Sequence, residues 1–164
     1  RFLVGRVLAG SGALAAAGVL AAGLAAESSV EAQVHGTLLE GEIALARGDA
    51  RAAIATLLAA NSRLDTWIGR YTLGHAYVLA GEGALAEAQF ERCVVRRGEA
   101  LALFLDEEPT WGLYPAIHYW QGRARELLRA PGYMEAYRRY LAVRGAAPDD
   151  VLAADARRRT GAAR

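Results

Sequence analysis

Small and apolar residues recur along this chain at fixed intervals, with short glycine-bearing breaks between them. Glycines stand seven residues apart at Gly5 and Gly12, Gly41 and Gly48, and Gly74 and Gly81, and an alanine follows the first of each pair by twelve, at Ala17, Ala53 and Ala86. A fourth copy begins at Gly122 and reaches Ala136 after fourteen, so its turn (Arg129, Ala130, Pro131, Gly132) is two residues longer. Residues 5, 41, 74 and 122 lie 36, 33 and 48 positions apart. The first two intervals fit a helix-turn-helix unit of roughly 34 residues, and the third requires an insertion. In such a unit the first glycine lets two antiparallel helices cross where a Cβ would clash, and the second ends the first helix in a left-handed turn. The predicted fold is all-α, a single domain over 1–164 with helix pairs at about 1–27, 28–62, 64–97 and 113–147, an insertion at 98–112 and a capping helix at 148–162.

Helix-end chemistry agrees with this division. Ser28-Ser29-Val30-Glu31 reads as a capping box that starts the second copy, and Asp49 follows Gly48 where the next helix should begin. Pro115 suits an early position of the first helix of copy four, where a missing N–H leaves no bond unmade. After Pro148, Asp149 and Asp150 precede a run that closes with Arg157, Arg158 and Arg159, an order that complements the helix macrodipole. This segment is expected to shield the last pair from solvent.

The third copy, Leu73-Gly74-His75-Ala76-Tyr77 followed by Gly81, Ala86 and Phe90, resembles the tetratricopeptide repeat, whose signature runs W-x2-L-G-x2-Y, then A-x3-F, then P. Arg70 stands at the Trp position, with Trp67 one turn earlier, and the fourth copy supplies Ala136, Tyr140 and Pro148 with Tyr in place of Phe. The resemblance implies an α-α superhelix of about four such pairs. It also implies that the first helices line a concave groove that holds a peptide or a partner domain. By that analogy the groove residues are Arg6, Leu38 and Glu42 in the first two copies, Tyr71, His75 and Val78 in the third, and Tyr119, Arg123 and Glu126 in the fourth. The segments Glu99 to Trp111, Tyr119 to Ala124 and Tyr137 to Ala142 further resemble the C-terminal repeat tails of bacterial multidomain signalling proteins, where the tail follows a Ser/Thr kinase or winged-helix regulator domain. That likeness implies a docking or sensing role.

Composition narrows the partner class. With 54% hydrophobic and 23% charged residues the chain is able to bury a core, and a formal net charge of +1 with interspersed signs lacks the basic footprint of a nucleic-acid binder. All 19 basic residues are Arg, which together with abundant Ala suggests a GC-rich bacterial source. The chain opens at Arg1 and its one Met is Met134, so a piece of a longer protein is expected. Cys93 is the single cysteine, which excludes an internal disulfide and favours the bacterial cytoplasm. The apolar stretch Phe2 to Ala26 invites a membrane reading, which Arg6 and five glycines oppose, so no membrane insertion is expected.

No motif for chemistry stands out. His35, His75 and His118 fall in different copies, without the clustered ligands a zinc site needs. Cys93 falls at a small-residue position of a second helix, where a buried thiol is expected. Asp106, Glu107 and Glu108 precede Pro109 and read as a solvated turn, and no phosphate-binding glycine loop follows a strand. Most of the aromatic set that runs from Trp111 to Tyr140 is expected in the core. No catalytic site, cofactor or metal is therefore expected. The reading is a scaffold for a protein, a peptide or another domain of the same polypeptide. The alternative is a structural module that forms a homo-oligomer through its terminal repeats.

Overall fold

Backbone sign marks the ends of the first helices. Gly12, Gly48 and Gly81 have φ of +85°, +81° and +81°, a region where a Cβ costs energy. In the computed structural model, which describes residues 1–101, 110 and 112–161, they follow α1 (Phe2–Gly10), α3 (Val30–Ala46) and α5 (Trp67–Leu79). At the first two turns the amide two residues past the cap reaches back five residues, Ala13 to Leu8 O and Asp49 to Ala44 O, at 2.9 and 3.0 Å. These are Schellman closures, which give the last carbonyls their donors. The second helices are α2 (Leu14–Ala25), α4 (Ala50–Arg63) and α6 (Gly83–Val95), followed by α7 (Arg97–Leu101), α8 (Ala116–Leu127), α9 (Tyr133–Arg144) and α10 (Val151–Thr160). The protein is all-α.

The chain forms two compact units, Arg1–Ala80 and Gly81–Arg164. A single domain was expected, and the division falls within the third copy, between its two helices.

In the first unit α1 packs on α2 and α3, and α3 on α2, α4 and α5. A Cβ on Gly41 would come within 2.7 Å of Leu57 on α4, so this glycine makes the crossing its pattern predicts. Gly5 does otherwise: a Cβ there would meet Leu39 of α3, which means it makes room for the next copy and not for its own partner helix. The closest approach is at Gly36, where a Cβ would lie 2.8 Å from both Ala21 O and Ala25 N. Backbone stands against backbone there because α2 carries only Ala, Gly, Leu and Val. Leu38, Leu39, Ala53 and Leu57 are fully buried around these crossings. Phe2 to Ala26 is a hairpin broken after Gly10, and no described helix is long and apolar enough to cross a membrane.

In the second unit α8 packs on α6 and α9, and α10 packs on α9 with a lesser contact to α8. Gly122 admits the Tyr137 ring, 2.6 Å from where its Cβ would stand. Phe90, Cys93 and Tyr137 are fully buried, the thiol as expected. The left-handed residue seven after Gly122 is Arg129, φ +52°, and its turn closes like the others, with Ala130 N–H on Arg125 O at 2.9 Å. The four-residue turn therefore keeps the glycine interval but fills it with Arg, and Gly132 (φ +85°) serves as the N-cap of α9.

Among the described residues, side-chain caps start four helices. Ser29 accepts from Ala32 N–H, Asp49 from Ala52 N–H, Thr66 from Gly69 N–H, and Asp150 from both Leu152 and Ala153 N–H. The cap of α3 is thus Ser29, which leaves Glu31 one position short of the reciprocal bond a capping box requires. Pro115 is the N-cap of α8, just outside the helix. The acidic run Asp106 to Glu108 and Trp111 lie outside the described residues.

Candidate functional site

The first glycine of each copy sets a register, and equivalent side chains fall into rows. Three positions before it stand Phe2, Leu38, Tyr71 and Tyr119; one after it, Arg6, Glu42, His75 and Arg123; five after it, Gly10, Ala46, Leu79 and Leu127. Helix periodicity puts all three positions on one face, about one turn apart.

In the first unit this face opens on a cavity of about 420 Å³. Its floor holds Arg6, Glu42, Thr72, Tyr71 and His75, and its mouth is formed by the final residues of three helices, Gly10 of α1, Ala46 of α3 and Leu79 of α5. The space exists because the five-after row begins with small residues; a Cβ on Gly10 would touch nothing within 4 Å. On the floor Arg6 Nε donates to Glu42 Oε1 at 2.6 Å, and Thr72 Oγ1 donates to the same oxygen at 3.3 Å. Both charged side chains are largely covered, 18% and 12% exposed. Burial pushes the Glu42 carboxyl above its ordinary pKa, against the lowering pull of Arg6 and the Thr72 bond. Arg6 also lies over the Phe2 ring, 5.8 Å from its centroid, and Phe2 stacks on His35 at 4.8 Å. Tyr71 stacks on Trp67 with centroids 5.6 Å apart.

In the second unit the same face is satisfied by α10. Tyr119 Oη donates to Asp155 Oδ2 at 2.7 Å, and Arg123 approaches the Tyr119 oxygen at 3.4 Å and Glu126 at 3.8 Å. Glu126 Oε2 accepts from Tyr137 Oη at 2.9 Å and from Arg159 at 2.5 Å, and Arg159 bonds Asp155 as well. Tyr140 Oη donates to Asp150 at 2.8 Å, and Arg144 pairs with the same carboxylate. Burial, reinforced by the facing carboxylates, raises the pKa of Tyr137 and Tyr140 well above that of a free phenol. Burial pushes the Asp155 carboxyl up, but bonds from Arg159, Arg158 and Tyr119 outweigh it and hold the group far below the usual carboxylate range.

The nine residues nominated for the groove therefore separate. Arg6, Glu42, Tyr71 and His75 line one cavity. Leu38 and Val78 are buried, 0% and 4% exposed, so they present no surface to a partner and serve as core. Tyr119, Arg123 and Glu126 meet in a network that α10 completes. Seven lining residues were not nominated from the sequence: Ala9, Gly10 and Gly12 at the end of α1, Leu45 and Ala46 at the end of α3, and Thr72 and Leu79 of α5. The glycine register locates Gly10, Ala46 and Leu79, which stand five residues after Gly5, Gly41 and Gly74.

The fold and this face define an all-α array of helix hairpins with an amphipathic cavity on its first helices. No protein-family model, curated protein or solved structure matches the chain.

Proposed function

We propose that the chain is a tetratricopeptide-type scaffold of a larger bacterial signalling or regulatory protein in the cytoplasm. In this reading it binds a segment of a partner protein, or of another domain of its own polypeptide, in the cavity of its first unit. The observation that carries the reading is the cavity itself: about 420 Å³ framed by three successive first helices, with hydrogen-bonding groups below and small residues at the mouth. That size lies within the usual range for sites that hold a bulky side chain or a small ligand. Catalysis is not part of the reading.

A random-peptide display selection against the 164-residue chain and its Ala46→Trp variant tests it. Ala46 is exposed, so the indole fills the mouth without entering the core. Peptides selected by the native chain and lost with the variant are the expected result. Equal selection by both, or none by either, removes the cavity as the binding site.

A second reading, self-association, is favoured by Val4, Val7 and Val19 on α1 and α2, which are 57%, 71% and 72% exposed. Light scattering over a hundredfold range of concentration separates the two. A molecular mass that doubles with concentration, and that Val7→Glu/Val19→Glu holds at the monomer value, supports association through the first pair.

A further inference from the structure

Three helix C-termini meet at the cavity mouth, since Gly10, Ala46 and Leu79 are the final residues of α1, α3 and α5 and all three line it. A helix end carries up to roughly half a negative charge on the carbonyls that lack donors, and the Schellman closures of α1 and α3 satisfy all but the last of these. None of the three helices has a basic residue in its last turn to offset it. Among the described residues no backbone donor bonds the carbonyl of Gly10 or of Ala46. One turn below, the charges cancel, because Arg6 and Glu42 form a close pair at 2.6 Å. The cap of α3, Arg47, is exposed and outside the cavity lining, so its charge is spread into solvent. The mouth therefore offers the carbonyl acceptors of Gly10 and Ala46 above a floor whose charges are paired.

We propose that the cavity receives an arginine side chain of the partner, its guanidinium at the mouth against the carbonyl ends of α1, α3 and α5. The inference rests on the reading of this cavity as the binding site and names the chemistry it takes. Arginine fits better than lysine for two reasons. Its planar fork presents five donors to acceptors on several sides, and it is weakly hydrated enough to lie against the aliphatic surface of Leu45 and Leu79, which also line the cavity. A carboxylate would face the carbonyl ends of the helices, and is disfavoured.

The test is an NMR titration of the ¹⁵N-labelled full chain with N-acetyl-arginine amide, and in parallel with the citrulline and glutamate analogues. Citrulline keeps the shape and loses the charge. Saturable shifts of the Gly10, Ala46 and Leu79 amides with the arginine compound are expected, with binding at least tenfold weaker for citrulline and none for glutamate. Ala46→Trp should abolish the shifts, and Gly10→Leu, which narrows the mouth by a different route, should reduce them. Arg47→Glu, which exchanges a positive for a negative charge at the cap of α3, should tighten binding about threefold, an effect that 0.5 M salt should erase. Equal binding of citrulline, tighter binding of glutamate, or no arginine-induced shift at these amides overturns the inference. If display peptides sensitive to Ala46→Trp carry no arginine, this inference fails and the peptide-binding reading stands; if no such peptides exist, the reading itself fails.

Discussion

In the unit Arg1–Ala80 the row of Arg6, Glu42 and His75 borders an open cavity, whereas in Gly81–Arg164 the equivalent Arg123 lies beside Tyr119 and Glu126 under side chains from α10. The two units carry the same register and differ in what completes it. In the first, small residues at the mouth leave the row accessible. In the second, Asp155 and Arg159 of α10 supply acceptor and donor to Tyr119 and Glu126, so the polar groups that could meet a partner are already bonded. The same helix face is thus a candidate binding surface in one unit and an internal seam in the other. The deciding factor is whether a following helix brings counter-charges.

The largest expected effect breaks the floor of the open unit. Arg6→Ala leaves Glu42 largely buried without its partner, and should cost about 3 kcal/mol in urea unfolding. Adding Glu42→Gln should recover most of the loss, because the neutral side chain needs no counter-charge. A cost below about 1 kcal/mol would mean that water in the cavity already solvates Glu42.

The matching change in the closed unit is smaller. Asp155→Asn removes the charged acceptor of Tyr119, Arg158 and Arg159 and should cost about 2 kcal/mol. Amide exchange should accelerate in α10 while α1 to α5 keep their protection. Exchange that rises evenly over both units would contradict the assignment of this network to α10.

The turns allow a reciprocal test. Arg129 occupies a left-handed position that Gly48 fills in the first unit. Arg129→Gly should stabilise by about 1 kcal/mol and Gly48→Ala should destabilise by about the same, both read as shifts in thermal midpoint. Loss of stability in Arg129→Gly would show that the arginine side chain contributes more than its backbone costs.

Acid should act on the two units with opposite sign, and this is the smallest effect. Asp150 and Asp155 have folded pKa values below their unfolded ones, so the stability they confer is present above about pH 4 and is lost as pH falls through the folded values. Glu42 has a raised folded pKa, so its contribution is fully present below its unfolded pKa and is lost as pH rises through the folded value. Between pH 5 and about pH 2, exchange protection of α10 should therefore fall relative to that of α3, and a parallel loss in both would refute the contrast.

Much of the fold was legible because it rests on local rules. A glycine seven residues after another marks a left-handed helix end, and Asp49 and Asp150 cap helices where their sequence neighbours place them. Arg129 was not legible, since nothing local distinguishes an arginine held at φ +52° by its turn from one on a helix surface. Gly5 follows the pattern yet serves Leu39 of the next copy, a choice that depends on packing and not on spacing. The candidate site was half legible for the same reason. Register identifies residues that share a face, as Arg6, Glu42, Tyr71 and His75 do. It does not show that Leu38 sinks into the core, or that Asp155 and Arg159 reach Tyr119 and Glu126 from more than thirty positions away.

Among the described residues, every substantial contact joins helices at most two places apart in chain order. Chains whose contacts are close in sequence sacrifice little loop entropy before their contacts form, and they fold on microsecond to millisecond timescales. The pair α2 and α3 is favoured as a starting point, because alanine and glycine side chains have almost no rotamer freedom to lose at their close approach. Refolding should then begin independently in each unit, which would let Arg1–Ala80 acquire its structure during synthesis before the residues of α10 have been made.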